Sequence, residues 1–280
     1  MRKKSTNIRA KARPRELAPA LARGIQILEL IASSRRTWSL TEIATELGIA
    51  KSSVFGLCGT LQAAGLLDRR SDETYRLGIK LVDLANARLE DSDLASAFYA
   101  TLESLGAFHQ EAVILSIRDG ADIVYVACRN SPLPLGVTFR IGMRLPACCT
   151  ATGKASLSTL SDDTVRSIYA RHKLVRLTDN GVATVDDLLK QLAAIRRNGY
   201  SVDDGETREH MCSFGAPVFD RGQGPAIGGV AISFFKANLD AATRVRAAAK
   251  VKEFATQLSR HLGAMPSSDF RTKAKPTRQS

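Results

Sequence analysis

The chain's 280 residues leave room for two domains of the usual size, roughly 100–200 residues each. A hydrophobic fraction of 44% and a charged fraction of 24% are those of a globular protein, and no apolar run approaches the roughly 18–20 residues of a membrane span. The formal net charge of +12 is uneven: residues 1–80 hold 15 Lys and Arg against 7 Asp and Glu, a balance of +8, and residues 81–280 hold 25 against 21, a balance of +4, so any polyanion-binding role belongs to the N-terminal part.

Residues 1–16 are basic and lack the apolar segment of a secretion signal, which reads as a disordered arm. Residues 17–32 have helical periodicity, with Leu21, Ile25, Leu28 and Ile31 or Ala32 expected inward. Trp38, the only tryptophan, is expected to pack rather than to touch a partner. From Ser39 the signals become dense. Ser39 with Glu42 three residues on has the spacing of a capping box, and Ile43, Ala44 and Leu47 share one helix face. Gly48 suits a left-handed helix end, and Ile49 plugs the corner. A second helix over 51–64 carries Val54, Leu57, Cys58 and Leu61 at i, i+3, i+4 and i+7, and Gly65 stops it. Short β-type runs at 66–69 and 74–77, separated by the polar turn 70–73, complete a ribbon. Helix, tight turn, helix and basic ribbon make the layout of a winged helix-turn-helix over residues 17–77.

The buried stripe predicts which side meets a duplex. Lys51, Ser52, Ser53, Phe55 and Gly56 point outward at the start of the second helix, with Thr41 on the helix before it, where base edges and phosphates are met. Arg69, Arg70 and Arg76 on the ribbon are placed to reach the flanking backbone or minor groove. The competing reading is a small helical domain whose basic residues are only solvated. Hydrophobic spacing, glycine placement and the wing agree over about forty residues, which favours double-stranded DNA as the partner.

Residues 78–93 continue as a helix, with Ile79, Leu81, Val82, Leu84 and Ala85 apolar but too little around them for a domain; this is a linker helix or a dimer element. The periodicity then changes. A helix over 94–106 precedes apolar, β-branched runs at 112–117 and 123–127, which flank the hairpin signal Asp119-Gly120. A strand is predicted at 135–141, then helices at 150–160 and 161–172. The helix at 184–198 has every end signal: Thr184 caps it, Asp186 and Asp187 favour its positive end, Arg196 and Arg197 its negative end, and Gly199 terminates it. Strands at 200–203, 213–219 and 227–235 and a long helix at 239–262 complete an α+β domain over residues 94–265 with a largely antiparallel sheet. Residues 266–280 form a polar basic tail expected to be disordered.

The segments SLTEIATELGIAKSSV, the ribbon ending TYRLGIKLVDLA, RIGMRLPACCTATGKA, NGYSVDDGETREHMCSFGAPV and GGVAISFF, in this order and spacing, make residues 17–262 resemble the IclR family of bacterial transcriptional regulators. The resemblance implies a winged helix-turn-helix, a linker helix and a GAF-like effector-binding domain, assembled as a homodimer or homotetramer. The implied function is that of a cytoplasmic, ligand-responsive, sequence-specific repressor or activator rather than an enzyme. It also implies a pocket lined by Met143, Leu145, Cys148, Thr150 and Ala151, by Asp203, Glu206, Met211 and Ser213, and by Ser233 and Phe235, for a small organic acid, aromatic ones included. A helix beginning near Thr150, with Gly153 allowing close approach, offers N–H groups to a ligand carboxylate, and Ser213 and Ser233 supply hydroxyls. Three pocket positions depart from the family pattern: Cys148 stands where relatives often have His, Ser213 where they often have Cys, and Phe235 replaces a smaller residue and narrows the pocket or gives it a flat apolar wall. Gly56 stands where members commonly carry Arg, which removes a bidentate base or phosphate contact, worth roughly 1–3 kcal/mol of discrimination where it reads a base.

Five cysteines, an odd number, without a secretory segment fit free thiols in a reducing cytoplasm. Adjacent Cys148 and Cys149, with His210 and Cys212 far along the chain, do not have zinc-type spacing, so no metal and no cofactor is expected. Nothing basic lies beside Cys148 and Cys149 in sequence to lower a thiol pKa, which argues against a redox role. Asp203, Asp204, Glu206 and His210 come without a nucleophile motif, a phosphate loop or H-E-x-x-H, and are expected to orient a ligand loop rather than to catalyse. Two readings from other classes stay open: a thiol or hydrolytic enzyme with an appended helical domain, and an architectural DNA binder that needs no ligand.

Overall fold

A local capping pattern starts the second helix of the chain in a computed structural model, which describes residues 17–264 apart from 35, 91–93, 107, 109, 135 and 223. The arm at 1–16, the tail at 266–280 and the boundary at 91–93 lie outside the described residues. The chain divides into two compact units between residues 91 and 92.

In the first unit, α1 (Pro19–Ser33) precedes a two-residue strand β1 (Trp38–Ser39), then α2 (Leu40–Leu47), α3 (Lys51–Ala63), β2 (Leu67–Arg69), β3 (Thr74–Leu77) and α4 (Lys80–Glu90). The capping box at α2 forms in full: Ser39 Oγ accepts from the Glu42 N–H at 3.3 Å, and Glu42 Oε2 accepts from the Ser39 N–H at 2.8 Å. Gly48 ends α2 at φ +63°, a backbone state that costs glycine nothing. Val54 and Cys58 are buried from α3, with Leu57 and Leu61 packed at the edge of the same core. The three strands form one antiparallel sheet in the order β1-β3-β2, so the wing ribbon gains a third strand through Trp38 opposite Tyr75. Two residues are too few for a period-two signal, which is why the sequence does not announce β1. Trp38 is buried, as expected, with the Arg36 guanidinium 3.8 Å over its ring.

One expectation in this unit is overturned. Periodicity places Leu21 and Ile25 on the inner face of α1, yet Leu21 is 65% exposed; Gly24, Ile27 and Ile31 are the buried face. The helix carries two overlapping apolar stripes, and periodicity alone does not select between them.

The second unit is built on a six-stranded antiparallel sheet in the order β6-β5-β4-β9-β8-β7. Its strands are β4 (Ala112–Asp119), β5 (Asp122–Arg129), β6 (Arg144–Pro146), β7 (Ser201–Asp204), β8 (Met211–Val218) and β9 (Gly228–Phe235). Helices α5 (Leu94–Ser104) and α9 (Ala241–His261) cover one face; α6 (Ala151–Leu157), α7 (Asp162–Arg171) and α8 (Val185–Asn198) belong to the other. Alternation along β4 serves both layers: Val113 and Leu115 join the core with Phe98 and Phe254, while Ala112 and Ile114 join the core with Leu157 and Leu188. The predicted hairpin at Asp119-Gly120 forms, with Asp119 opposite Asp122. Helix α6 lies flat on the sheet because Gly215 and Gly229 leave room; a Cβ on Gly229 would come within 2.5 Å of the Thr152 carbonyl oxygen.

The strand predicted at 135–141 does not form; Leu135 itself is outside the described residues, and β6 at Arg144–Pro146 takes the edge position. Val137 and Phe139 do turn inward, as their alternation implies. The backbone of Phe139 is satisfied by a side chain instead of a ladder: its N–H donates to Asn130 Oδ1 at 2.7 Å, and its carbonyl accepts from Asn130 Nδ2 at 3.2 Å.

Candidate functional sites

The first site is the outer face of α3. With Val54 and Cys58 held in the core, Lys51, Ser52, Ser53, Phe55 and Gly56 are all exposed, and Thr41 is exposed at the start of α2. The first turn of α3 contains no acidic residue, and no side chain caps it, so its leading N–H groups and its positive end face outward. On the wing, Arg69 pairs with Glu73 at 2.9 Å and Arg76 with Asp68 at 3.1 Å, whereas Arg70 has no ion-pair partner among the described residues. Those two pairs are exposed, and such pairs are worth about 0–1 kcal/mol, so an incoming phosphate competes with them readily.

The second site is a cavity of about 250 Å³ in the second unit. Its apolar wall comes from Ile114, Tyr125, Phe139, Met143, Leu145, Leu177, Met211, Ala151 and Ala231, with Tyr125 and Phe139 packed edge to face at 5.4 Å. Its polar groups are Thr150, Thr152, Asp203, Thr207, Arg208 and Ser213. Thr150 Oγ1 accepts from the Gly153 N–H at 3.0 Å as the cap of α6. Asp203 Oδ1 accepts from the N–H groups of Glu206 at 2.7 Å and Thr207 at 3.1 Å, while burial pushes the Asp203 carboxyl above the usual carboxylate range. Ser213 Oγ lies 2.8 Å from Ser233 Oγ. Thr152 is fully buried, and its hydroxyl has no partner among the described residues. Arg208, exposed, is the cation of the lining.

Seven of the predicted pocket residues therefore come together: Met143, Leu145, Thr150, Ala151, Asp203, Met211 and Ser213. Four do not line the cavity. Ser233 stands behind Ser213. Phe235 ends β9 with its ring partly in solvent. Cys148 turns its thiol toward Cys149 and the Val175 carbonyl. Glu206 turns inward to Lys154, the two side chains 7% and 1% exposed, and Lys154 Nζ also donates to Gln191 Oε1 at 2.9 Å and to the Val202 carbonyl at 2.6 Å. Desolvation raises the Glu206 carboxyl, and Lys154 pulls it the other way. Nothing near Glu206 in sequence announces a partner on α6. Sequence reasoning also missed Ile114, Tyr125, Phe139, Thr152, Leu177, Thr207, Arg208 and Ala231. Alternation is the signal for Ile114 and Tyr125 in the β4–β5 hairpin and for Phe139 in the 135–141 run; the other five have no local signal. The thiols considered for a metal are on opposite sides of the sheet, Cys148 and Cys149 in one core and Cys212 in the other.

The model of the bacterial transcriptional regulator IclR C-terminal domain matches residues 86–260, and that of the IclR helix-turn-helix domain matches residues 20–71. The chain belongs to the IclR family. The HTH-type transcriptional regulator KdgR of Dickeya chrysanthemi is 31% identical over 209 residues, covering 74% of this chain and 68% of KdgR. The crystal structure of the Agobacterium tumefaciens repressor BlcR is 37% identical, covers 89% of this chain and 99% of its own, and superposes with a TM-score of 0.58. An IclR homologue from Microbacterium hydrocarbonoxydans, solved in complex with 4-hydroxybenzoate, is 20% identical with a TM-score of 0.75, covers 88% of this chain and 100% of its own, and has the same fold. This IclR-family protein is thus a ligand-responsive, DNA-binding transcriptional regulator, with an N-terminal helix-turn-helix and a GAF-like α+β effector domain. The family is one of regulators, which sets the enzyme reading aside. Among the described residues, no helix is long and apolar enough to cross a membrane.

Proposed function

We propose that this IclR-family regulator senses a small organic acid, aromatic acids included, in the cavity of its second unit. The carboxylate is held by Arg208, and the body lies against Tyr125, Phe139 and Met211. The observation that carries this reading is the pairing, in one cavity of about 250 Å³, of a single lining cation with aromatic and aliphatic walls and an unpartnered buried hydroxyl at Thr152. The complex of the Microbacterium relative with 4-hydroxybenzoate supports a ligand of this size and chemistry. A thermal-shift panel of small carboxylates tests it: at least one acid raises the melting temperature, and Arg208→Ala weakens that acid tenfold or more while leaving the unliganded melting temperature in place. Equal affinity in the variant overturns the assignment; no shift with any carboxylate favours the architectural DNA binder.

On the DNA side, Thr41, Lys51, Ser52, Ser53 and Phe55 meet the duplex, and Arg69, Arg70 and Arg76 flank it. Lys51→Ala combined with Arg69→Ala lowers the salt slope of DNA binding by about 0.9 for each phosphate that is no longer neutralised. An unchanged slope counts against this face. The protein works in the cytoplasm as a homodimer or homotetramer, whose paired α3 helices read two half-sites about one helical turn apart. Support comes from the apolar residues left exposed on the first unit, Leu21 and Ile25 on α1 with Ile79, Val82 and Leu84 at α4. Light scattering that finds a monomer at micromolar concentration overturns the assembly. The working division is 17–77 for DNA binding, 78–93 for the linker helix and 94–265 for the effector domain. A ligand shifts DNA affinity only through unequal binding to two arrangements, on the usual coupling scale of about 1–3 kcal/mol.

A further inference from the structure

Two neighbouring thiols are left unused by the regulator reading. Cys148 and Cys149 lie in the turn between β6 and α6, both 0% exposed, with their Sγ atoms 3.8 Å apart. Both thiols face one acceptor, the Val175 carbonyl oxygen, at 3.5 and 3.1 Å. The pair touches the cavity wall in three ways. Thr150 follows directly in the chain and lines the cavity; the Cys149 carbonyl accepts from Thr207 Oγ1 at 3.1 Å, another lining residue; and Val175 stands two positions from Leu177, a third. With both thiols protonated, each S–H faces Val175; once Cys148 ionises, the Cys149 S–H turns to its thiolate, and that bond brings the Cys148 thiol down to about 7 and pushes Cys149 up. Tyr169, whose hydroxyl has no other partner among the described residues, stands beside Cys148 and acts in the same direction. Burial instead pushes Cys58 and Cys212 up to about 11 and raises Cys128, so those three remain protonated and unreactive at neutral pH. A thiolate beside a thiol is a nucleophile with its resolving partner already in place.

We propose that Cys148 and Cys149 are a redox-active dithiol that closes to a vicinal disulfide on oxidation by hydrogen peroxide, and that closure releases the 173–177 segment from the cavity wall. The second half rests on the cavity being the effector site. The Cys148 thiolate attacks one peroxide oxygen and the O–O bond breaks, giving the Cys148 sulfenic acid and a hydroxide that takes a proton to become water. The Cys149 sulfur, losing its proton, attacks the Cys148 sulfur; the S–O bond breaks and the second water leaves. Two thiols and one peroxide thus become one disulfide and two waters, the sulfurs giving up two electrons to the peroxide oxygens. Both S–H donors are consumed, so the Val175 carbonyl loses the two groups that hold its segment. Hydrogen peroxide is scarcely larger than water, and the turn borders the cavity through Thr150.

The test treats the full chain with hydrogen peroxide in its native state, then denatures it, alkylates it with iodoacetamide and digests it with trypsin. Cleavage after Arg144 and Lys154 releases LPACCTATGK, which holds both thiols. The expected peptide is lighter than the reduced one by two hydrogens, carries no alkylation, and is restored by dithiothreitol. Cys149→Ser stops at a sulfenic acid on Cys148 that dimedone traps, and Cys148→Ser does not react at the same dose. In the native oxidised protein, brief trypsin treatment cuts after Lys173 and Arg176 about tenfold faster than in the reduced protein, as the loss of two weak hydrogen bonds implies. Peroxide-treated Cys148→Ser keeps the reduced rate. Full alkylation of both cysteines after peroxide, or direct passage to sulfinic acid, overturns the dithiol; a disulfide with an unchanged cutting rate overturns its link to the cavity wall. Neither result bears on the acid-binding reading, which stands or falls on carboxylate titration of Arg208→Ala.

Discussion

The two units of this regulator keep their chemistry on opposite sides of their cores. In the first, the buried stripe of α3 is the inside of a small helical core, and the groups proposed to meet DNA are what that stripe leaves outside: Lys51, Ser52, Ser53 and Phe55. In the second, two cores sandwich a sheet, and the polar groups are inside: Asp203, Thr152, Ser213 and the Lys154–Glu206 pair are all buried. A surface site tolerates change in its residues without loss of fold, because they are already solvated. An interior site does not, because each polar group depends on a partner that the fold supplies.

That contrast can be broken experimentally, and Trp38 provides the means. As the only tryptophan, in the core of the first unit, it reports on that unit by fluorescence, whereas far-ultraviolet circular dichroism is dominated by the helices and sheet of the second. The largest expected effect is that of Lys154→Met, which leaves the Glu206 carboxylate buried without its cation and costs about 3–5 kcal/mol. The circular-dichroism transition in urea moves to lower denaturant while the Trp38 transition stays, and Lys154→Met with Glu206→Gln recovers most of the loss. Coincident movement of both probes would falsify the independence of the two units.

Next in size, on the proposed role of Arg208, is Arg208→Ala. The loss of a charge-assisted hydrogen bond to an effector carboxylate, about 1.5–3 kcal/mol, appears in ligand titration and in neither unfolding transition. The smallest effects sharpen the comparison from the other side. Ser39→Ala removes the cap of α2 and lowers the Trp38 midpoint by about 1 kcal/mol of stability, with the circular-dichroism transition of the second unit unmoved. Gly59→Ala raises the same midpoint by roughly 0.5–1 kcal/mol, because a Cβ there meets nothing within 4 Å and the helix gains propensity. A destabilised Gly59→Ala variant would mean that α3 is braced by something that the core of the first unit does not contain.

How much was legible in the sequence follows the same division. The DNA-facing unit could be read almost entirely from short-range signals: the Ser39–Glu42 box, the glycine after α2, the stripe through Val54 and Cys58, the ribbon at 67–77. In the effector unit the hairpin at Asp119-Gly120 and the cap of α8 were equally plain. The cavity was legible only in part. Met143, Asp203 and Ser213 were found because family resemblance pointed to their segments, whereas Arg208, Tyr125 and Thr152 were not.

What the sequence determined by itself is everything set within a few residues: where helices start and stop, which strands turn back on one another, and which face of α3 is wet. Those outcomes depend on dihedral preference, capping and periodicity, which are properties of the local chain. The tertiary structure alone decided which of two apolar stripes on α1 goes inside, that Asn130 takes the place of a strand ladder at Phe139, that Glu206 serves Lys154 instead of the cavity, and that two adjacent thiols share one carbonyl acceptor. Each of these is a choice between near-equal local options, made by a partner from nine to several tens of residues away or on another layer of the fold.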